Sequence, residues 1–338
     1  MERPMADRVL LAHGSGGKLM HDLIKKSFVS ALSNPLLDKM DDSAVFELSG
    51  RLAFTTDSYV VSPIFFPGGD IGKLAVCGTV NDLSTSGAVP LYLSLSFIIE
   101  EGLLLSDLER IVDSVCQTAA EAGVNIVTGD TKVVDQGSAD KLFINTSGIG
   151  VVSAEVDISG SNARPGDKVI VSGTLGDHGI AIVSQREGLK FHVPVPSDCA
   201  PLNRLVAEML DTGADIHCLR DPTRGGLATT LNEFAQQSRA GIRIYEEAVP
   251  VNRAVLGACE LLGFDPLYVA NEGKLVAVVA PSDADKVLAR MKQNKYGHDS
   301  AIIGEVMKEH PGRVVMKTRL GASRIVDVLV GELLPRIC

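Results

Sequence analysis

The chain predicts an α+β protein of two layered domains. Three observations carry the prediction. At 338 residues the length exceeds what one hydrophobic core usually serves. Apolar residues make up 45% of the chain and aromatics only 4%, with no Trp, so the cores are aliphatic. Strand-like apolar runs and segments of helical period alternate through both halves, which builds sheets with helices layered on them.

Residues 1–155 are expected to form the first domain. It opens on the loop His13-Gly14-Ser15-Gly16-Gly17-Lys18, followed by an amphipathic stretch over 19–29. Its glycines either let backbone N–H groups approach a phosphate closely or make a plain flexible turn. A Walker A loop would need Gly and a hydroxyl where this chain has Ala12 and Leu19, so that motif is excluded. Asp41 and Asp42 follow, then a strand over 52–56 that runs into Asp57. A helix over 71–88 contains Asn81 and Asp82 among small residues, where a carboxylate is unfavourable unless paired or metal-bound. A strand over 91–99 comes next. Leu108, Ile111, Val112, Val115, Cys116 and Ala119 then recur at helical spacing, which puts Cys116 on a core face. Strands over 124–132 and 142–152 close the half, the first carrying Asp130 and Lys132 at its end. The order β, β, α, β, α, β, β predicts helices on one face of a sheet.

The polar, Gly- and Pro-containing stretch 159–167 marks the boundary, and 156–331 is expected to form the second α+β domain. A strand over 168–172 leads through Gly173-Thr174-Leu175-Gly176-Asp177-His178-Gly179 into a helix. That turn is either an anion site or a turn capped by Asp177. A helix over 202–210 and a strand over 216–219 precede Asp221-Pro222-Thr223-Arg224-Gly225-Gly226, which opens a helix to about 237. A strand over 242–245, a helix over 253–262, a strand pair interrupted by Asn271-Glu272-Gly273-Lys274, a helix over 283–291 and apolar segments at 302–306, 314–316 and 325–329 complete it. Residues 332–338 are expected to be a flexible tail ending in Pro335-Arg336-Ile337-Cys338.

The net charge of −10 argues against nucleic-acid or acidic-membrane partners, which need a basic face. The six cysteines show neither CxxC pairs nor metal-ligand spacing. With a polar N-terminus and no apolar run of membrane-spanning length, the expectation is a cytoplasmic protein with reduced thiols. Prenylation is excluded, because its box needs Cys four residues from the end. Asp42, Asp57, Asp82, Asp130 and Asp221, most at the ends of elements, together resemble a Mg²⁺–nucleotide site drawn from both halves.

Taken in order, the motifs at 13–18, 41–45, 56–58, 81–84, 128–132, 164–167, 176–179, 221–226 and 271–273 and the terminal Pro-Arg-Ile-Cys resemble those of the HypE family. These hydrogenase maturation proteins are carbamoyl dehydratases in the superfamily of aminoimidazole ribonucleotide synthetase and selenophosphate synthetase. The resemblance spans essentially the whole chain. It implies a homodimer in which the first domain's sheet joins its partner's in an intersubunit β-barrel, with the second domain packed over the nucleotide site. It implies ATP and Mg²⁺ as cofactors: ATP at Gly14, Gly16, Gly17, Lys18, Asp42, Asp57, Asp82 and Asp130, and Mg²⁺ at Asp42, Asp82 and Asp221. It implies that a HypF-like carbamoyltransferase loads Cys338, that the carbamoyl group is dehydrated to a thiocyanate, and that the cyano group passes to iron on a HypC–HypD scaffold. Lys132 and Glu272 are its candidate bases; Lys132 alternatively binds phosphate, and Glu272 alternatively satisfies backbone. Selenophosphate synthetases place Cys or selenocysteine in the Gly-rich loop, and the loop here has neither. A non-enzymatic cysteine carrier is the remaining alternative.

Overall fold

The computed structural model describes residues 7–189, 194–329, 334 and 336–338. The first domain opens with α1 (Lys18–Leu23), which continues through a π-helical stretch (Ile24–Val29) into α2 (Ser30–Leu32). Then come β1 (Arg51–Tyr59), the short hairpin β2 (Phe65–Phe66) and β3 (Gly69–Asp70), and α3 (Ile71–Thr85). β4 (Ala88–Glu100), α4 (Leu105–Ala122), β5 (Asn125–Val134) and β6 (Leu142–Val152) follow. The long strands form a four-stranded sheet in the order β1-β6-β4-β5. β4 and β5 are parallel, which requires a crossover, and α4 supplies it; the other pairs are antiparallel.

α4 buries the stripe Leu108, Ile111, Val112, Val115, Ala119 and Ala122, and stops where Gly123 takes φ 74°. α3 is buried on almost every side, which explains its small residues. A Cβ on Gly78 would lie 2.2 Å from the Tyr59 hydroxyl, so only glycine lets α3 approach β1 here. Both helices pack on one face of the sheet, as the element order predicts. Among the described residues no helix or sheet covers the opposite face: Phe46 packs on Tyr92 there, while Leu52, Phe54, Val89 and Ile98 are exposed on it.

The second domain runs β7 (Lys168–Val171), α5 (Asp177–Arg186), α6 (Asn203–Leu210), β8 (Ile216–Arg220), α7 (Gly226–Ser238), β9 (Gly241–Tyr245) and α8 (Arg253–Leu262). β10 (Val276–Val279), α9 (Ala284–Met291), β11 (Ala301–Met307), β12 (Val314–Lys317) and β13 (Ser323–Val326) complete it. Its seven strands lie in the order β13-β12-β9-β11-β7-β10-β8. Alternate residues of β7 and β10 enter different cores. Val169, Val171, Val276 and Val278 pack with α7; Ile170, Ala277 and Val279 pack with α6 and α9. A sheet covered on both faces needs apolar residues at every position, hence the unbroken apolar runs.

Two local expectations are corrected. Residues Pro266–Tyr268 form a 3₁₀ turn, so the break at 271–274 leads into β10 without interrupting a strand pair. Asp177 does not cap α5: Gly176 takes the N-cap position, and Asp177 instead accepts bonds from Thr174 and from Asn252. Among the described residues no helix is long and apolar enough to cross a membrane.

Candidate active site

The end of the chain docks beside the end of β1. Val60 N–H donates to the Cys338 carbonyl at 3.1 Å, and Ser62 N–H donates to the Arg336 carbonyl at 3.3 Å. This pairing is antiparallel and extends past the sheet edge. Arg336 spans Asp140 Oδ2 at 2.6 Å and the Val60 carbonyl at 3.0 Å. Arg186 Nη2 donates to the Arg336 carbonyl at 2.9 Å, and the Ile337 side chain is buried. Most of the tail preceding these contacts, residues 330–333 and 335, lies outside the described residues.

Acids surround the docked thiol. Burial pushes Cys338 up to about 12, and Glu272, Asp57 and Asp221 push the same way; the Arg224 guanidinium opposes them. Arg336 is engaged with Asp140, so Arg224 is the cation that acts on the thiol. Beside Cys338 is a cavity of about 310 Å³ lined by Val60, Arg224, Tyr268, Ala270 and Ile337, among others.

Four elements supply the acids, and the local sequence explains each position. Asp57 is near the end of β1 and accepts from the Tyr59 hydroxyl at 3.0 Å. Asp82 is in the last turn of α3, where Thr55 of β1 donates to it at 2.9 Å. Asp221 follows β8 directly, at the strand end that leads into α7. Glu272 sits in the loop before β10, only 3% exposed, and among the described residues its Oε1 has no hydrogen-bond partner. Its backbone N–H donates to Asp198 Oδ1 at 3.1 Å. Asn271 ties two neighbouring loops to this one: it accepts from Gly176 N–H at 2.8 Å and donates to the Pro222 carbonyl at 2.9 Å. Asn81 joins the domains, donating to the Ala200 carbonyl at 3.1 Å and accepting from Leu202 N–H at 2.8 Å.

Burial and mutual repulsion keep Asp82, Asp221 and Glu272 from ionising easily. Asp221 is raised to about 7 by burial and then by Asp82. Asp82 is raised by burial and by Asp57, against Thr55 and Arg220. Glu272 is held well above the carboxylate range by burial, then by Cys199, Asp221, Asp198 and Asp57. A cation placed among them would relieve that repulsion. Hard oxygen donors and an orphaned buried carboxylate oxygen suit Mg²⁺. Among the described residues no group of three or more acidic, His or Cys side chains forms a metal cluster by itself. Mg²⁺ commonly binds through one or two carboxylates with phosphate and water completing its shell.

The other expected residues lie elsewhere. Ser58, Asn145, Ser96 and Asp130 form one cross-sheet row, so Asp57 and Asp130 stand at the same level on opposite edges. Three strand spacings separate those edges, about 14 Å. Asp130 and Lys132 are exposed and paired with each other at 2.9 Å, and the pairing holds Asp130 below the usual carboxylate range. Gly14 packs on this edge, where an added Cβ would lie 2.7 Å from the Val133 nitrogen. Gly16, Gly17 and Lys18 are exposed next to it. Asp42 is in an exposed loop and is not among the charges acting on Asp82 or Asp221. Its neighbour Asp41 lines a cavity of about 200 Å³ with Asp130, Thr128, Phe28 and Met40. One chain therefore gathers Asp57, Asp82, Asp221, Glu272 and Cys338 on one side, and the Gly-rich loop, Asp130 and Lys132 on the other. Tyr59, Arg224 and Asp140, which stand on the Cys338 side, were not singled out individually in the sequence, and Arg336, a candidate to lower the thiol, pairs with Asp140 instead. Arg224 was visible only as part of its motif, and nothing in the sequence couples positions 140 and 336.

Comparison with known proteins agrees with this architecture. The profile of the AIR synthase related protein N-terminal domain matches residues 40–152, and that of the C-terminal domain matches residues 164–317. A relative from Bradyrhizobium diazoefficiens, described as carbamoyl dehydratase HypE, is 56% identical over 330 residues, covering 97% of this chain and 95% of its own. A crystal structure of hydrogenase maturation protein HypE in complex with ATP is 52% identical with a TM-score of 0.95, covering 97% of this chain and 99% of that one. A HypE–HypF complex contains a chain 51% identical with a TM-score of 0.81, covering 93% of this chain and 100% of that one.

Proposed function

This chain belongs to the AIR synthase related family, in its HypE carbamoyl dehydratase branch, and on that premise we propose that it dehydrates a carbamoyl group carried on its own terminal thiol. The observation that carries the proposal is the docking of the Cys338 end beside β1, where the thiol feels the charges of buried Glu272, of Asp57 and of Asp221.

The net change on sulfur is S–C(=O)–NH₂ to S–C≡N with loss of one water. An amide oxygen is a poor leaving group, and ATP supplies the phosphoryl group that makes it a good one. Asp82 and Asp221 would hold Mg²⁺, which offsets phosphate charge when bound. Glu272 is the base we assign to the N–H protons. A carboxylate lifted above its ordinary range holds a proton more strongly and is better matched to this task. The thiol is half-buried, which limits bulk water around the group it carries.

The Gly-rich loop, Asp130 and Lys132 act in this proposal from a second copy of the chain. β1 and β5 are open sheet edges, and the face between them exposes Leu52 at 50% and Phe54 at 73%. Open edges and an uncovered apolar face are satisfied together when two such sheets close into a barrel. Closure brings the partner's β5 beside β1, and with it a phosphate loop and a lysine. A HypF-like carbamoyltransferase would load the thiol, and a HypC–HypD scaffold would accept the cyano group for the iron of a [NiFe] hydrogenase. The HypE–HypF complex among the similar structures supports the first partner.

Intact mass of the C-terminal peptide tests the reading. After incubation with carbamoyl phosphate, ATP and the carbamoyltransferase, a carbamoyl adduct should form and then lose one water. An adduct that persists with ATP present would leave the protein a carrier and end the dehydratase reading.

A further inference from the structure

His178 is the second residue of α5 and is fully buried. One ring nitrogen, Nδ1, lies 2.8 Å from Ser197 Oγ; the other, Nε2, lies 2.8 Å from the Ile337 carbonyl. A carbonyl only accepts, so Nε2 carries the hydrogen. Burial disfavours the charged ring, which leaves Nδ1 as an acceptor for the Ser197 hydroxyl. Ser197 Oγ in turn accepts from Cys199 N–H at 3.1 Å. Phe66 packs against the imidazole edge-on, with centroids 5.5 Å apart. Orientation of the ring is thus set by Ser197 and Phe66, and its one free donor is aimed at the peptide just before Cys338.

We propose that His178, oriented by Ser197, is a positioning residue that seats the terminal thiol in its pocket. The other contacts of the seat are less specific to this peptide. Val60 and Ser62 offer backbone N–H groups along an edge, Arg186 of α5 donates to the Arg336 carbonyl, and Arg336 and Asp140 pair at the protein surface. Among the described residues His178 is the donor to the Ile337 carbonyl, the peptide that precedes Cys338, and with Arg186 it ties the terminal residues to α5. Without it, a buried carbonyl loses its donor and gains one only by leaving for water. The catalytic consequence rests on the dehydratase reading above; the seating does not.

Alkylation of the native protein by iodoacetamide, read by mass of cysteine-containing peptides, tests it. In the wild type Cys338 should react slowly. In His178→Ala and His178→Asn its rate should rise roughly tenfold or more, while buried Cys77, Cys199, Cys218 and Cys259 stay protected. His178→Gln, whose longer amide carries a donor toward the Ile337 carbonyl, should restore protection. An unchanged Cys338 rate in His178→Ala overturns the proposal. So does simultaneous exposure of all five thiols in the Ala, Asn and Gln variants, which would make His178 a plain core residue. In the dehydration assay His178→Ala should lower kcat with ATP affinity unchanged. If wild-type protein shows no dehydration while the alkylation pattern holds, the functional reading fails and the seat stands.

Discussion

The two edges of the first domain's sheet carry the same residue types in opposite surroundings. At the β5 edge Asp130 lies in solvent beside Lys132, and its carboxylate is held below the usual range. On the β1 side Asp82 meets Thr55, Asp57 and the neighbouring Asp221, and both Asp82 and Asp221 are pushed up. The chemistry of an aspartate here is decided by desolvation and neighbours, not by its place at the end of an element. The same contrast separates Lys132, solvated and paired, from Glu272, buried with an unpartnered oxygen. One edge keeps its charges in water; the other partly withdraws acids and a thiol from it. Each reads as half of a site.

The largest effect that would break this comparison is genetic complementation between its halves. Lys132→Ala and Glu272→Gln should each be inactive as homodimers. Mixed dimers should recover about a quarter of wild-type turnover, because half of the randomly mixed dimers are hybrid and each hybrid has one intact site. A mixture as inactive as its components would return Lys132 to the chain that carries Glu272 and dissolve the two-half picture.

Asp82→Asn comes next. It should weaken Mg²⁺-dependent ATP binding by roughly ten- to a hundredfold in calorimetry, a loss typical of a ligand or its immediate support. The same change at exposed Asp130 should be milder for Mg²⁺ dependence. Equal losses at the two positions would erase the difference between the edges.

The smallest effect sharpens the electrostatic half. Asp221 is raised to about 7 in the fold from its ordinary 3.8. The folded state therefore holds a proton that the unfolded chain releases. Stability contributed by the neutral form is complete below the ordinary value and declines as pH rises through about 7. Asp221→Asn should flatten that decline in metal-free protein, by on the order of a few kcal/mol between pH 4 and 8 in denaturant titrations. An identical slope in wild type and variant would show that Asp221 is ordinary. Because the Asp82 carboxylate repels the charged form of Asp221, Asp82→Asn should flatten the slope partially.

Much of the fold could be read in the chain. α4 declared itself through Leu108, Ile111, Val112 and Val115, and β7 and β10 through unbroken apolar runs that only a sheet covered on both faces tolerates. Small residues in α3 signalled close packing, and Gly78 against Tyr59 is that packing. Motifs at 57, 82, 221 and 272 were recognisable as site material. Their convergence was not, because 215 positions separate Asp57 from Glu272 and no local pattern records a meeting at that distance. The same limit hid Arg336 with Asp140 and His178 with Ile337, which are 196 and 159 residues apart. It also hid the separation of Lys132 from Glu272, since residues that match one family's motifs are naturally grouped into one site.

The sequence by itself determined which segments run as strands, which helix faces turn inward, and that a terminal thiol accompanies a set of carboxylates. Those are properties of periodicity and residue type, and they act over a few positions. Only the tertiary structure decided which carboxylates lose water, which strand edges stay open, and where Cys338 rests. Desolvation and docking depend on what the rest of the chain brings alongside, and two strands of one sheet can still hold their side chains a whole sheet apart.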